Sequence, residues 1–217
     1  MKSIVVFLCV LFLSYIASDP ARAGEALHME IETAALSKFV WRGAPWTDDP
    51  VLWPQMTFRR GGFRTYLLFN FDFTDINDDQ YQCNEIDIIA DNTFRFGRFG
   101  VAPGFIHYTS PTDFFDPVTK ILLGLKMDTI FSPSLNFRFD VKGVKGSYVI
   151  LKTHHAFPVA RTGASIAADF WISGGSARYY GVDKGIVVTD TMVRLSLPFP
   201  VSGAVTLTPG IELTSLV

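Results

Sequence analysis

His107, Thr109 and Ser110 fall together in the stretch "HYTS" (107–110). A serine hydroxyl activated by a histidine that a carboxylate orients is the machinery of acyl transfer, so these residues form a candidate surface esterase site. Neighbours in sequence do not supply the geometry, and this reading stands as the lesser alternative. His154 and His155 are adjacent, so on a strand they face opposite ways and cannot ligate one metal as a pair. Asp75, Asn77 and Asp79 have the opening spacing of an EF-hand loop, but Gln80 stands where glycine is needed and Ile86 where the closing glutamate belongs. With Asp78 they read as a solvated acidic loop. The stretches "GGFRTYLL" (61–68) and "GGSARYYG" (174–181) lack the strand-to-helix setting of a phosphate loop. Hence no catalytic residue, metal or cofactor is expected. What remains is a set of charges dispersed along the chain: Arg64, Asp72, Asp87, Arg95, Lys126, Asp128, Arg138 and Asp140.

Those charges sit in segments with a period of two. In "FRTYLLFNFDFTD" (63–75), Phe63, Leu67, Phe69, Phe71 and Phe73 share one parity, while Arg64, Asn70 and Asp72 share the other. Comparable segments are predicted over 27–41, 53–58, 63–74, 84–96, 99–109, 119–131, 135–142, 147–157, 164–173, 191–198 and 204–215, none with a helical period. Many run to about ten residues, the length a tilted strand needs to cross a bilayer. The connections also sort. "RRGG" (59–62), "GR" (97–98), "SPS" (132–134), "AFPVARTG" (156–163) and "FPVSG" (199–203) are mostly tight, whereas 42–52, 75–83, 110–118 and 174–190 are long and polar, with the short "GVKG" (143–146) the main exception. Short turns at one end and long loops at the other are the habit of outer-membrane barrels. The charged parity then lines a lumen in which both signs occur, which favours cross-strand ion pairs. Trp41, Trp46, Trp53, Tyr108, Phe114, Phe115, Trp171, Tyr179 and Tyr180 fall near strand ends or in loops and are expected in interfacial girdles.

The first 23 residues carry Lys2, an apolar run over 4–16 and "ARA" (21–23), the pattern of a cleaved secretory signal peptide. Its loss removes Lys2, Arg22 and Asp19 and takes the formal charge from −2 to −3. No basic excess points to nucleic acid. Cys83 is then the sole cysteine, which forbids an internal disulfide in what would be an exported chain. The remaining residues, 24–217, suit one domain.

Several phrases resemble an uncharacterised proteobacterial outer-membrane family of the gcw_chp type. "LSKFVWRGAPWTDDPVLWPQMTF" (36–58) is similar to its first hairpin. "GFIHYTSP" (104–111), "FSPSLNFRFDV" (131–141), "GSYVILKTHHAFPV" (146–159) and "RLSLPFPVSGAVTLTPGIELTSL" (194–216) resemble its later strands and turns. The resemblance implies an exported barrel of unknown substrate and supplies no catalytic residues.

The expectation is therefore an all-β, antiparallel transmembrane β-barrel of about 12 strands; eleven segments are in evidence, so either one strand is uncounted or the last strand is lacking. A secreted soluble β-sandwich is the alternative. The expected role is a narrow porin-like channel or solute-binding barrel in the outer membrane, in contact with lipid, lipopolysaccharide and a small polar solute. A non-channel envelope adaptor or structural barrel is the second class, and the esterase of Ser110 and His107 the third.

Overall fold

The computed structural model describes residues 26–41, 44–47, 50–73, 81–113, 115–142, 146–159, 164–176 and 186–216. Every regular element among them is a strand: β1 (His28–Leu36), β2 (Phe39–Trp41), β3 (Ala44–Thr47), β4 (Val51–Arg60), β5 (Phe63–Asp72), β6 (Cys83–Asn92), β7 (Phe94–Phe96), β8 (Phe99–Thr109), β9 (Val118–Met127), β10 (Ser134–Lys142), β11 (Ser147–Pro158), β12 (Ser165–Ser176), β13 (Ile186–Ser196), β14 (Phe199–Pro200), β15 (Thr206–Leu207) and β16 (Gly210–Leu216). The fold is all-β, as the alternation predicts.

One antiparallel sheet dominates, in the order β1-β4-β5-β6-β8-β9-β10-β11-β12-β13-β16, with β7 pairing β8. Each strand lies beside its sequence neighbours because short links favour adjacent antiparallel pairing. Two turns are as tight as two residues: Arg60 pairs with Phe63 and Phe96 with Phe99. Gly61 (φ 56°) and Gly97 (φ 60°) supply the left-handed first position that the twist-matched II′ hairpin turn requires. Two small hairpins, β2-β3 and β14-β15, stand outside the large sheet.

Five segments depart from expectation, two of them by dividing: 84–96 into β6 and β7, and 204–215 into β15, which pairs with β14, and β16. The first segment breaks at Ser37, and Phe39–Trp41 folds back on Ala44–Thr47 instead of prolonging β1. The strand expected to reach Phe131 stops at Met127, where Met127 N donates to Pro133 O (3.0 Å) and Ser132 N to Thr129 O (3.0 Å). Conversely β13 begins at Ile186, five residues before the predicted start at Thr191.

The sheet is staggered and curled. A row of paired residues leaves β1 at its first residue, His28, passes Arg59, Arg64, Asp91, Gly104, Leu122, Arg138 and Tyr148, and reaches Gly175 near the end of β12. Such a stagger is the tilt that barrels need. Tyr66 on β5 and Arg138 on β10 are close enough to interact electrostatically, although four strand spacings would separate them by about 19 Å in a flat sheet. The face bearing the charges is therefore concave. β1 and β16 are not paired with each other among the described residues.

Candidate functional site

The concave face is built from one parity of each strand, and it is polar where a soluble core would be apolar. Asp72 is fully buried (0 % exposed), Asp190 nearly so (2 %), and Lys120, Asp91, Asn70 and Asn84 are buried as well. Burying such groups is tolerable only where partners compensate them. Four arrangements do so.

Near the loop end, where 37–50, 73–82, 110–117 and 177–185 connect the strands, Trp53 Nε1 donates to Asn70 Oδ1 (2.6 Å). Asn70 Nδ2 donates to Asn84 Oδ1 (2.6 Å), and Asn84 Nδ2 to Asp72 Oδ2 (3.4 Å). Across β11 to β13, Asp190 Oδ1 accepts from Tyr148 Oη (3.2 Å), Thr189 Oγ1 (2.9 Å) and Ser173 Oγ. On the central strands β9 and β10, Lys120 Nζ lies 2.7 Å from Asp140 Oδ1, with both side chains buried. That contact is an ion pair without the alignment of a hydrogen bond. Arg138 Nη1 donates to Tyr108 Oη (3.1 Å) across β9, beside an apolar cluster of Ile89, Ile106 and Tyr108 against which Tyr66, Leu122 and Phe115 pack.

Towards the turn end the pairs become more exposed. Arg64 holds Asp91 through Nε (3.1 Å) and Nη2, and its guanidinium lies 5.4 Å from the Tyr66 ring. Arg59 meets Glu30 (3.0 Å) and Arg194 meets Glu212 (2.7 Å). Trp171 takes Lys152 over its ring at 4.5 Å and Arg194 at 5.9 Å. Lys126 makes no hydrogen bond or ion pair with the described residues, yet Arg59, Arg64, Arg95 and the Asp91 carboxylate lie within electrostatic reach.

Of the charges predicted to line the lumen, Arg64, Asp72, Asp87, Lys126, Arg138 and Asp140 share the concave face. Asp87 keeps a buried Oδ1 without a hydrogen-bond partner among the described residues. Arg95 and Asp128 pair with each other at 3.2 Å but at the rim, with side chains 73 % and 66 % exposed. The sequence reading did not single out Lys120 or Asp190. Lys120 shares the parity of Lys126 and was legible, whereas Asp190 lay outside the predicted strand.

The aromatic expectation is corrected in part. Trp53, Tyr108 and Trp171 lie on the concave face, and Phe115 packs into its cluster. Each found an inward partner that its position near a strand end does not reveal. The side chains of Trp41 and Trp46, together with Phe114, Tyr179 and Tyr180, lie outside the described residues, as does the acidic loop of Asp75, Asn77, Asp78 and Asp79. An aromatic rim does exist at the turn end, made of Phe94, Phe96, Phe99, Phe131 and Phe157, all exposed.

The histidines divide as adjacency requires. His154 Nδ1 donates to Asp169 Oδ1 (2.9 Å) on the concave face, while His155 Nδ1 donates to Ile130 O (2.7 Å) on the outer face and its ring meets Phe157 edge-on at 4.3 Å. His107 Nδ1 hydrogen-bonds Thr119 Oγ1 (2.9 Å) on the outer face, and Ser110 Oγ bonds Thr112 Oγ1 (3.2 Å). No group of three or more His, Cys, Asp or Glu side chains suited to a metal occurs among the described residues.

No family model, curated protein or solved structure matches the chain.

Proposed function

We propose that the chain is a membrane-spanning β-barrel protein of the outer membrane, whose narrow polar interior passes or holds a small polar solute. The observation that carries this reading is the inverted sheet. Ile121, Phe139, Leu151, Ile166, Phe170 and Leu195 stand exposed on the outer face, while the concave face buries Asp72, Asp91, Lys120 and Asp190. Water around that outer face would meet an apolar surface of a kind that soluble monomers rarely expose. Hydrocarbon would match it. Supporting features are strands of nine to twelve residues in the main sheet from β4 to β12, the three-residue β7 aside, the exposed phenylalanine rim, the leader pattern of 1–23 and the resemblance of 36–58 and the later segments. Lys126 is the cation best placed to meet a solute, being exposed and without a carboxylate of its own.

The mature protein is expected in the outer-membrane fraction with heat-modifiable migration in detergent gels. In planar bilayers it is expected to give small conductance steps, with ion selectivity that Lys126→Glu shifts towards cations. Recovery as a detergent-free soluble monomer would overturn the membrane reading. A non-channel structural barrel is the second reading, favoured by the Ile89, Ile106, Tyr108 and Phe115 cluster that fills part of the concavity. A folded, heat-modifiable protein with no conductance and no solute binding would select it.

A further inference from the structure

Lys126 on β9 and Lys152 on β11 are both register partners of Ser134 on β10. Directly opposed residues of an antiparallel ladder share a face, so on the concave side the two lysines flank the serine. Two strand spacings set their Cα atoms about 10 Å apart in a flat sheet, and the curl brings inward side chains closer. Both lysines are exposed. Neither makes a hydrogen bond or ion pair with the described residues. The carboxylates within their electrostatic reach are already held by other groups: Asp91 by Arg64, Asp169 by His154 and Glu212 by Arg194. Further cations surround them, with Arg59, Arg64 and Arg95 near Lys126, and Arg138 and Arg194 near Lys152.

We propose that Lys126, Ser134 and Lys152 bind a small oxyanion of two negative charges, of the phosphate class. Other charges on this face cancel in pairs, whereas these two ammonium groups lack counter-ions, and one anion with several acceptor oxygens satisfies both. Lysine's flexible stem and three donors allow the two to converge from neighbouring strands. Ser134 Oγ accepts from Asn136 Nδ2 (3.4 Å), which leaves its own O–H to donate to the anion. Lys152 Nζ rests 4.5 Å from the centre of the Trp171 ring. That contact is weaker than a charge-assisted hydrogen bond to an oxyanion, so the ammonium can exchange one for the other. In the membrane reading the concave side faces away from lipid, which makes the occupant a dissolved anion and not a headgroup. The inference rests on the solute-holding interior proposed above and is independent of whether that interior conducts.

The test titrates inorganic phosphate by calorimetry into the mature protein folded in a phosphate-free detergent, at constant ionic strength. Heat-modifiable migration checks that each variant is folded. Saturable binding is expected where chloride gives none. Lys126→Gln and Lys152→Gln should each weaken it about tenfold, the equivalent of 1.4 kcal/mol, while Lys126→Arg and Lys152→Arg should retain it. Lys38→Gln removes the same charge from an exposed position between β1 and β2 and should leave binding unchanged. Phosphate should also shift tryptophan emission as Lys152 leaves the Trp171 ring, and Trp171→Phe should abolish that shift without abolishing binding. A folded protein with no phosphate saturation, or glutamine variants that bind as tightly as the parent, would overturn the proposal even if the protein conducts. Phosphate binding by a folded protein that does not conduct would uphold the oxyanion site and remove only the channel reading.

Discussion

The charges on the concave face differ in what their loss would do, and burial decides the difference. Lys120 and Asp140 form a cross-strand pair with side chains 4 % and 3 % exposed. Removing one partner strands the other charge, which typically costs about 3–5 kcal/mol, whereas replacing both by apolar residues of similar volume is often neutral or stabilising. Lys120→Met is therefore expected to lower unfolding free energy by about that amount in denaturant titrations of the detergent-folded protein, and Lys120→Met with Asp140→Leu to recover most of it. Arg95→Ala, which breaks the exposed rim pair with Asp128, should change stability by no more than about 1 kcal/mol. If Arg95→Ala cost more than Lys120→Met, the assignment of buried and exposed faces would be wrong. Sequence alone showed which residues share the charged parity but not which of them are buried. Depth within a curled sheet depends on the neighbouring strands, and a single strand's pattern contains no trace of them. Asp190 illustrates the limit, since its three hydroxyl partners come from β11, β12 and β13.

Elements were more legible than partners. The predicted 99–109 coincides with β8, and 63–74 with β5 to within two residues, because each is rich in β-branched and aromatic residues and follows a strong turn signal. Failures came where a bulge or a turn cut across the apolar pattern. "IVVTD" (186–190) carries adjacent apolar residues and lies opposite the register shift at Ser173 and Gly174, which destroys the period of two. Ile130 and Phe131 continued the apolar pattern beyond β9, yet the chain turns there through Ser132 at φ 39°. The contact between β6 and β8 has a requirement of its own. A Cβ added at Gly104 would meet Ala90 O, and would sit 2.8 Å from Asp91 Cβ and 2.9 Å from Asp91 Cα. These atoms belong mostly to the backbone of the adjoining strand and cannot swing aside, so Gly104→Ala must spread the two strands. The expected loss is about 1–3 kcal/mol, with weaker hydrogen-exchange protection in β6 and β8. Unchanged protection in both strands would refute the close approach.

At the scale of the whole molecule, the distinction between a membrane barrel and a water-soluble sheet turns on what lies against the outer face, and depth makes the distinction measurable. Phe170 lies midway along β12 and is 42 % exposed; Phe96 lies beside the turn after β7 and is 64 % exposed. In water, arginine at either site would remove exposed apolar surface and leave stability nearly unchanged. In a bilayer, arginine near the midplane of a barrel costs about 2–4 kcal/mol, falling to about 0–1 near the interface. Phe170→Arg is thus expected to destabilise the vesicle-folded protein by about 2–4 kcal/mol and Phe96→Arg by less than about 1. The Lys126 conductance test cannot substitute for this comparison, because a barrel that does not conduct has the same lipid-facing surface. Equal and negligible effects at the two positions would mean that no hydrocarbon surrounds the sheet, and that its phenylalanine face is covered by protein or exposed to water.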